Sequence, residues 1–316
     1  MISSLDNETP LALKEIAERV IAAAGTVILG KQRELRLALA CLIARGHLLI
    51  EDLPGVGKTT LAHVLAKTLG LQFRRIQFTS DLLPADILGT SVYDRESGAF
   101  SFHAGPIFAQ LVLADEVNRA TPKTQSALLE AMEETQVTVE GQTYPLPEPF
   151  FVVATQNPNY QIGTFPLPES QLDRFLMRLE IGYPDADAER NLLKGQERRD
   201  ILNDMKATAD PSTLIALQSA VTSIHVSDAL VNYVQALLKF SREAPFYRNG
   251  LSPRAGIAIV RAAQAWALLA GRNYVMPEDV QAVLPAVAAH RLQASPESGD
   301  QSPSEMFRHL ASVPVP

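Results

Sequence analysis

The residues with the sharpest chemical meaning lie in Asp52-Leu53-Pro54-Gly55-Val56-Gly57-Lys58-Thr59-Thr60, directly after the apolar run Leu48-Leu49-Ile50. A strand running into a glycine loop, then Lys-Thr, then a helix is the order that phosphate binding requires. Glycines let the backbone come close, N–H groups of the loop and the helix N-terminus point at the anion, and the lysine adds a mobile point charge. Lys58 is expected to reach the β- and γ-phosphates of a nucleotide, and the Thr59 hydroxyl to ligate Mg²⁺. The full pattern G-x-x-x-x-G-K-[ST] has a glycine where Asp52 stands; aspartate tolerates a left-handed backbone, so the loop is still expected to form. A glycine-rich turn with a chance Lys-Thr is the plain alternative, and the flanking strand and helix weigh against it.

A second cluster follows at Gln110-Leu111-Val112-Leu113-Ala114-Asp115-Glu116. A buried strand delivering two carboxylates at its C-terminal end is where an α/β sheet places its chemistry. Asp115 is expected to hold Mg²⁺ through its shell, and Glu116 to orient or deprotonate the attacking water. An acidic turn after a core strand is the bland reading. Phe150 to Thr155 leads into Gln156-Asn157-Pro158, where Asn157 suits a contact to a γ-phosphate but equally an ordinary Asn-Pro turn. Arg174, in Leu172-Asp173-Arg174-Phe175, and Arg254, in Ser252-Pro253-Arg254-Ala255, carry the planar fork preferred for transition-state phosphate charge. Most arginines are surface groups, and the residues alone favour neither.

Behind these groups stand five short apolar segments: Leu48 to Ile50, Phe73 to Phe78, Leu111 to Ala114, Phe150 to Ala154 and Leu176 to Ile181. Longer, helical or loop-like stretches separate them, which predicts a parallel sheet with helices on both faces. After Gly182-Tyr183-Pro184-Asp185 the periodicity turns helical, with Ser252-Pro253 and Pro277-Glu278-Asp279 opening helices. A boundary near residue 184 is expected, with a leading helix over 9–24 and a loose Ser/Pro/Gly-rich tail from 293.

The 28 basic and 35 acidic side chains of this 316-residue chain leave a net charge of −7, which supplies no field for tight, sequence-independent binding of nucleic acid or anionic membrane. One cysteine, Cys41, sits in an apolar run and is expected in the core, and no intrachain disulfide is possible. No apolar run reaches the roughly 20 residues of a membrane span, and residues 1–8 lack a signal peptide's basic and apolar regions, so a cytoplasmic protein is expected. The six histidines show no ligand spacing and read as surface or capping residues.

Taken together, Pro54-Gly55-Val56-Gly57-Lys58-Thr59, Asp115-Glu116-Val117-Asn118-Arg119-Ala120, Ala154 to Pro158, Leu172 to Phe175 and Leu251 to Ala255 resemble the MoxR family of AAA+ ATPases. The resemblance spans about Ile16 to Leu292. It implies an α/β P-loop NTPase fold, a five-stranded parallel sheet sandwiched by helices, followed by a small all-α lid. The corresponding division is 1–184, 185–292 and a flexible tail over 293–316. It implies an ATPase using ATP and Mg²⁺, with Pro54 through Thr60 at the phosphates, Ile28 and Gly30 near the adenine, and Thr59 and Asp115 at the metal.

By the same likeness Glu116 and Asn157 are catalytic and Asn157 is sensor 1. Arg174 is the arginine finger acting on a neighbour's ATP, and Arg254 is sensor 2, reading its own subunit's nucleotide. A ring, commonly hexameric, is implied, with a von Willebrand factor A domain partner and a client enzyme that is matured or remodelled, including insertion of metal cofactors. Ser91 to Phe102 and Gln136 to Pro145 resemble hairpins facing the pore of such rings, and each also reads as a plain surface hairpin. Other readings are weaker. The N-K-x-D element of GTPases is missing, and a nucleic-acid motor is disfavoured because the first hairpin carries only Arg95 as a basic residue and the second carries none. A non-hydrolysing ATP-binding scaffold sits badly with Lys58, Asp115 and Glu116 all in place.

Overall fold

The structure is a computed structural model that describes residues 10–96, 98–157, 164–194, 198–295 and 303–315. Residues 1–9, Pro158 and the 296–302 part of the expected tail lie outside the described residues. Its strands are β1 (Leu48–Glu51), β2 (Phe73–Gln77), β3 (Gly89–Asp94), β4 (Ala99–Ala104), β5 (Leu111–Asp115), β6 (Gln136–Val139), β7 (Gln142–Pro145), β8 (Phe151–Gln156) and β9 (Met177–Leu179). The first helices are α1 (Pro10–Gly25), α2 (Gln32–Ile43), α3 (Lys58–Thr68), α4 (Pro84–Leu88), α5 (Pro122–Glu134) and α6 (Glu169–Leu172). After them come α7 (Ala186–Lys194), α8 (Arg198–Asp204), α9 (Pro211–Ser223), α10 (Asp228–Glu243), α11 (Pro253–Leu269), α12 (Pro277–Ala288) and α13 (Pro303–Ala311).

The five expected strands form one sheet in the order β2-β5-β8-β1-β9, every pair parallel. The central strands are buried on both faces, which explains their continuous apolar runs. Side chains alternate between two cores. Leu48, Ile50, Leu111, Leu113, Phe151 and Val153 join the cluster under α2, α3 and the later helices. Leu49, Val112, Ala114, Val152 and Ala154 face the cluster built with Leu128, Leu129 and Met132 of α5. Strand β2, at the edge, is polar where the others are apolar. Two hairpins, β3–β4 and β6–β7, stand apart from the sheet, each antiparallel.

The helices after residue 185 gather around α11. Its start is set by Ser252, whose hydroxyl accepts the Ala255 N–H at 3.0 Å, with Pro253 in the first turn. Small residues along α11, among them Ala255, Gly256, Ala258, Ala262 and Ala263, are buried and let neighbouring helices approach. A Cβ on Gly256 would come within 2.8 Å of Leu238. The helical region shares its hydrophobic cluster with one face of the sheet, so it packs as a continuation of the α/β core. Polar ties reinforce the junction: Arg36 Nη2 donates to Leu269 O at 2.6 Å, and Gln218 Nε2 donates to Leu42 O at 3.0 Å.

Two expectations differ from the structure. The tail beyond 302 is not loose: α13 buries Met306 and Leu310 against the helical region, and the Tyr247 hydroxyl donates to Met306 O at 2.7 Å. Met306 and Leu310, spaced i, i+4, form an apolar stripe that the tail's overall Ser/Pro composition conceals. His47 and His290 are structural rather than surface or capping groups. His47 Nδ1 accepts the Val152 N–H at 3.0 Å while its Nε2 meets Met132 O at 3.0 Å, so the neutral ring stitches β8 to α5. His290 is buried and bonds Phe175 O. Cys41 is fully buried, as its apolar neighbourhood implied.

Candidate active site

The loop between β1 and α3 turns on two left-handed glycines, Gly55 with φ +86° and Gly57 with φ +98°. A Cβ at either position would meet nothing within 4 Å, so the requirement for glycine is backbone conformation, with open space above it. Gly57 caps α3 with no side-chain hydrogen bond, leaving the first amides of the helix free for an anion. Pro54 and Gly55 are exposed, Val56 packs on the core, and Thr59 and Thr60 are partly buried in the first turn of α3.

Asp52 plays a different part from the one its backbone tolerance suggests. It is not among the residues with positive φ. Its Oδ2 accepts the N–H groups of Ile181 and Gly182, both at 2.6 Å, and its Oδ1 accepts the Leu53 N–H at 2.7 Å. A carboxylate here ties the phosphate loop to the end of the sheet where the chain leaves for the helical region. A glycine would leave those two amides without this acceptor.

Lys58 is buried, its Nζ donating to Asp52 O at 2.5 Å, to Asn157 Oδ1 at 3.0 Å and to Gln156 O at 3.5 Å. Burial lowers its pKa, and the charges of Asp52, Asp115, Glu116 and Glu51 oppose that shift. The ammonium's hydrogen-bond acceptors are all carbonyl-type oxygens, and the four carboxylates act on it through charge at longer range.

The two carboxylates leave β5 in opposite settings. Asp115, only 6 % exposed, takes the Thr155 hydroxyl on Oδ1 at 2.5 Å, and its Oδ2 faces the Thr59 hydroxyl at 3.4 Å. Arg75, from the adjacent β2, also donates to Oδ2 through Nε at 3.0 Å and Nη2 at 2.7 Å. Glu116 breaks out of the strand with φ +58° and ψ +47°, a left-handed conformation that costs a non-glycine residue about 1 kcal/mol. Its N–H is held by Thr155 Oγ1 at 2.9 Å. Its carboxylate accepts Asn157 Nδ2 at 2.8 Å, Gln77 Nε2 at 3.2 Å and Arg119 Nε at 3.0 Å. Asn157 therefore bridges Lys58 and Glu116. Asn118 supports it, donating to Asn157 O at 3.2 Å, and Gln125 anchors the intervening turn at Val117 O and Ala120 O.

Ile28 and Gly30 lie apart from this cluster, in the segment joining α1 to α2. Gly30 has φ +70°, and a Cβ there would approach Asp185 Oδ2 within 2.9 Å. With Ile21, Gly25 and Arg33 the two residues line a hollow of about 640 Å³.

Arg174 and Arg254 come together, but not at the phosphate loop. Glu133, in the last turn of α5, pairs with Arg174 at 2.9 Å and with Arg254 at 3.2 Å. Arg174 also donates to Leu129 O at 2.8 Å. Both arginines line a cleft of about 570 Å³ with Arg45 and Arg261, and no residue of the 52–60 loop borders it. The resemblance assigns Arg254 to its own subunit's nucleotide; here the first turn of α11 is docked on α5, beside Arg174.

Sequence reasoning gave no role to Arg75, Gln77 or Glu133, and named Arg119 and Thr155 only as motif members. Arg75 and Gln77 had a readable signal, since polar residues alternating at the C-terminal end of an edge strand fall on one face. Nothing local marks Glu133.

A donor-lined loop after the first strand, two carboxylates on a neighbouring strand and a helical region after the sheet define a P-loop ATPase of the AAA+ class. Residues 47–177 match the ATPase family associated with various cellular activities, and residues 239–310 match the AAA lid domain, whose span includes most of α13. YeaC of Bacillus subtilis is 45 % identical over 92 % of this chain and 92 % of its own. Chaperone MoxR1 of Mycobacterium tuberculosis is 40 % identical over 87 % of this chain and 75 % of its own. A crystal structure from Cytophaga hutchinsonii, described as a candidate ATPase, superposes with a TM-score of 0.88 at 35 % identity, covering 96 % of each chain. The chain belongs to the MoxR family of AAA+ ATPases; it binds nucleotide and hydrolyses ATP.

Proposed function

We propose that this ATPase works as a ring of its own copies, in which each ATP sits on one subunit's loop and meets the Arg174–Arg254 pair of the next. The observation that carries this is the shared Glu133, which holds both arginines on a cleft away from the loop of their own chain. Among the described residues, the arginines at one copy's own site, Arg75 and Arg119, are taken up by Asp115 and Glu116, which leaves the transition-state charge to an arginine from a neighbour. A ring of six is the count proposed.

Within each site, the amides of Gly55 to Thr60 and Lys58 bind the phosphates. The Thr59 hydroxyl and Asp115 would hold Mg²⁺, which when bound neutralises charge between the outer phosphates. The donor set fits it: a hydroxyl and a buried carboxylate 3.4 Å apart, both oxygen ligands. Glu116 orients the attacking water and takes its proton, while Asn157 fixes that carboxylate and faces Lys58. Ile28 and Gly30 flank the base, beside the start of α7.

We place the turnover in the cytoplasm, as chaperone-like remodelling or maturation of a client protein complex, including metal-cofactor insertion, together with a partner bearing a von Willebrand factor A domain. The name of the M. tuberculosis relative, a chaperone, supports this direction. The two hairpins suit client contact: Phe102 of the first stacks on Tyr144 of the second at 4.0 Å, while Val92, Tyr93 and Phe100 stay exposed.

Mixing tests the shared site. Arg174→Ala and Glu116→Gln proteins, each inactive alone, regain part of the wild-type rate together, because a ring can join an intact Glu116 to an intact Arg174. A mixture as inactive as its components would mean the site is not shared.

A further inference from the structure

We infer that Arg75 is a built-in stand-in for the metal cation, neutralising Asp115 when the site lacks Mg²⁺ and yielding to the ion when nucleotide loads. This rests on the reading that Asp115 serves the metal. Asp115 offers two oxygens of unequal availability. Oδ1 is committed to the Thr155 hydroxyl at 2.5 Å. Oδ2 alone faces Thr59, and it is the oxygen onto which Arg75 directs both Nε and Nη2. With two N–H donors from Arg75 and the Thr59 hydroxyl already directed at it, Oδ2 has no open approach for a metal or its water shell. Arg75 and Mg²⁺ therefore compete for one atom.

The competition suits exchange. Asp115 is nearly enclosed, so leaving its carboxylate uncompensated is costly, and Arg75 supplies the charge from the neighbouring strand. The arginine side chain is itself about half exposed, at 49 %, so it can withdraw into water at small cost. Its departure reaches a second carboxylate. Arg75 Nη2 donates to Gln77 Oε1 at 2.7 Å, and Gln77 Nε2 donates to Glu116 Oε2 at 3.2 Å. Loading the metal frees Gln77 from its partner, and with it one tether on the residue that handles water. Discharge of the metal with product lets the arginine return.

Titration of Mn²⁺, followed by its electron paramagnetic resonance, into the full-length protein saturated with ADP reads the competition without turnover. Arg75→Gln should tighten Mn²⁺ about tenfold, the scale of one lost charge-assisted contact at a half-exposed site. Arg75→Lys, which keeps the charge but not the fork, should fall between the two. ADP affinity in EDTA should be the same in all three proteins, which also shows that each is folded. Unchanged or weaker Mn²⁺ binding in Arg75→Gln overturns the stand-in role. Asp115→Asn separates the two layers: if it leaves Mn²⁺ affinity unaltered, the metal assignment itself falls, and the role of Arg75 with it.

Discussion

Single side chains at this site are distinguished by what they contact rather than by their type. Among the described residues Lys58 donates to carbonyl-type acceptors alone, at 2.5 to 3.5 Å, and the proposed site uses its charge for phosphate. Glu116 is held by three donors and by a left-handed backbone, which aims its carboxylate at the price of local strain. These contacts separate binding from turnover. Lys58→Ala should lower ATP affinity at least a hundredfold by calorimetry, since a buried charge-to-phosphate contact contributes about 3 kcal/mol. Glu116→Gln keeps the shape and the Asn157 contact, so it should bind ATP within about threefold of wild type yet hydrolyse it at least a hundredfold more slowly. A Gln variant that turns over normally would remove Glu116 from water activation.

At the scale of elements, the site depends on β8 keeping its place, and His47 ties that strand to α5 from outside the site. The ring lies against Phe150 and Phe151 and bridges β8 to α5. Burial pushes its pKa down from 6.5 to about 4. The folded state then binds the proton less readily than the unfolded chain, so stability is complete above pH 6.5 and declines as pH falls toward 4. His290, pushed well below 6.5 by burial and by Arg291, acts in the same direction. The His47 contribution alone is about 3 kcal/mol across that window. Chemical denaturation from pH 7 to pH 4.5 should show the loss, and His47→Gln should flatten it; an identical pH profile in the variant would disconnect the histidine from acid sensitivity.

For the whole molecule, the helical region is joined to the α/β core by a continuous apolar cluster, and α13 closes its far side. Met306 and Leu310 are buried there, with Tyr247 bonded to the α13 backbone and its pKa pushed up to about 12 by burial. Truncation after residue 302 should lower Tm by on the order of 5 °C or more, from the loss of buried Met306, Leu310 and Val313 and of the Tyr247 hydrogen bond. Scanning calorimetry checks this; an unchanged Tm would mean α13 does not dock in solution.

The residues by themselves determined the sheet, the phosphate loop and the pair Asp115 and Glu116, because these follow from local rules. Apolar runs of strand length, glycines where φ must be positive, and acids at a strand's C-terminal end are all readable within a few residues. What only the tertiary structure decided are contacts between elements far apart in the chain. Asp52 reaches Ile181 and Gly182, Arg75 crosses to Asp115, and Glu133 gathers Arg174 with Arg254. Sequence spacing carries no information about which strand lies beside which, or onto which helix the first turn of α11 docks. Those relations come from burying two cores on opposite faces of one sheet. That packing sets Arg254 on Glu133, in a cleft that no residue of the 52–60 loop lines.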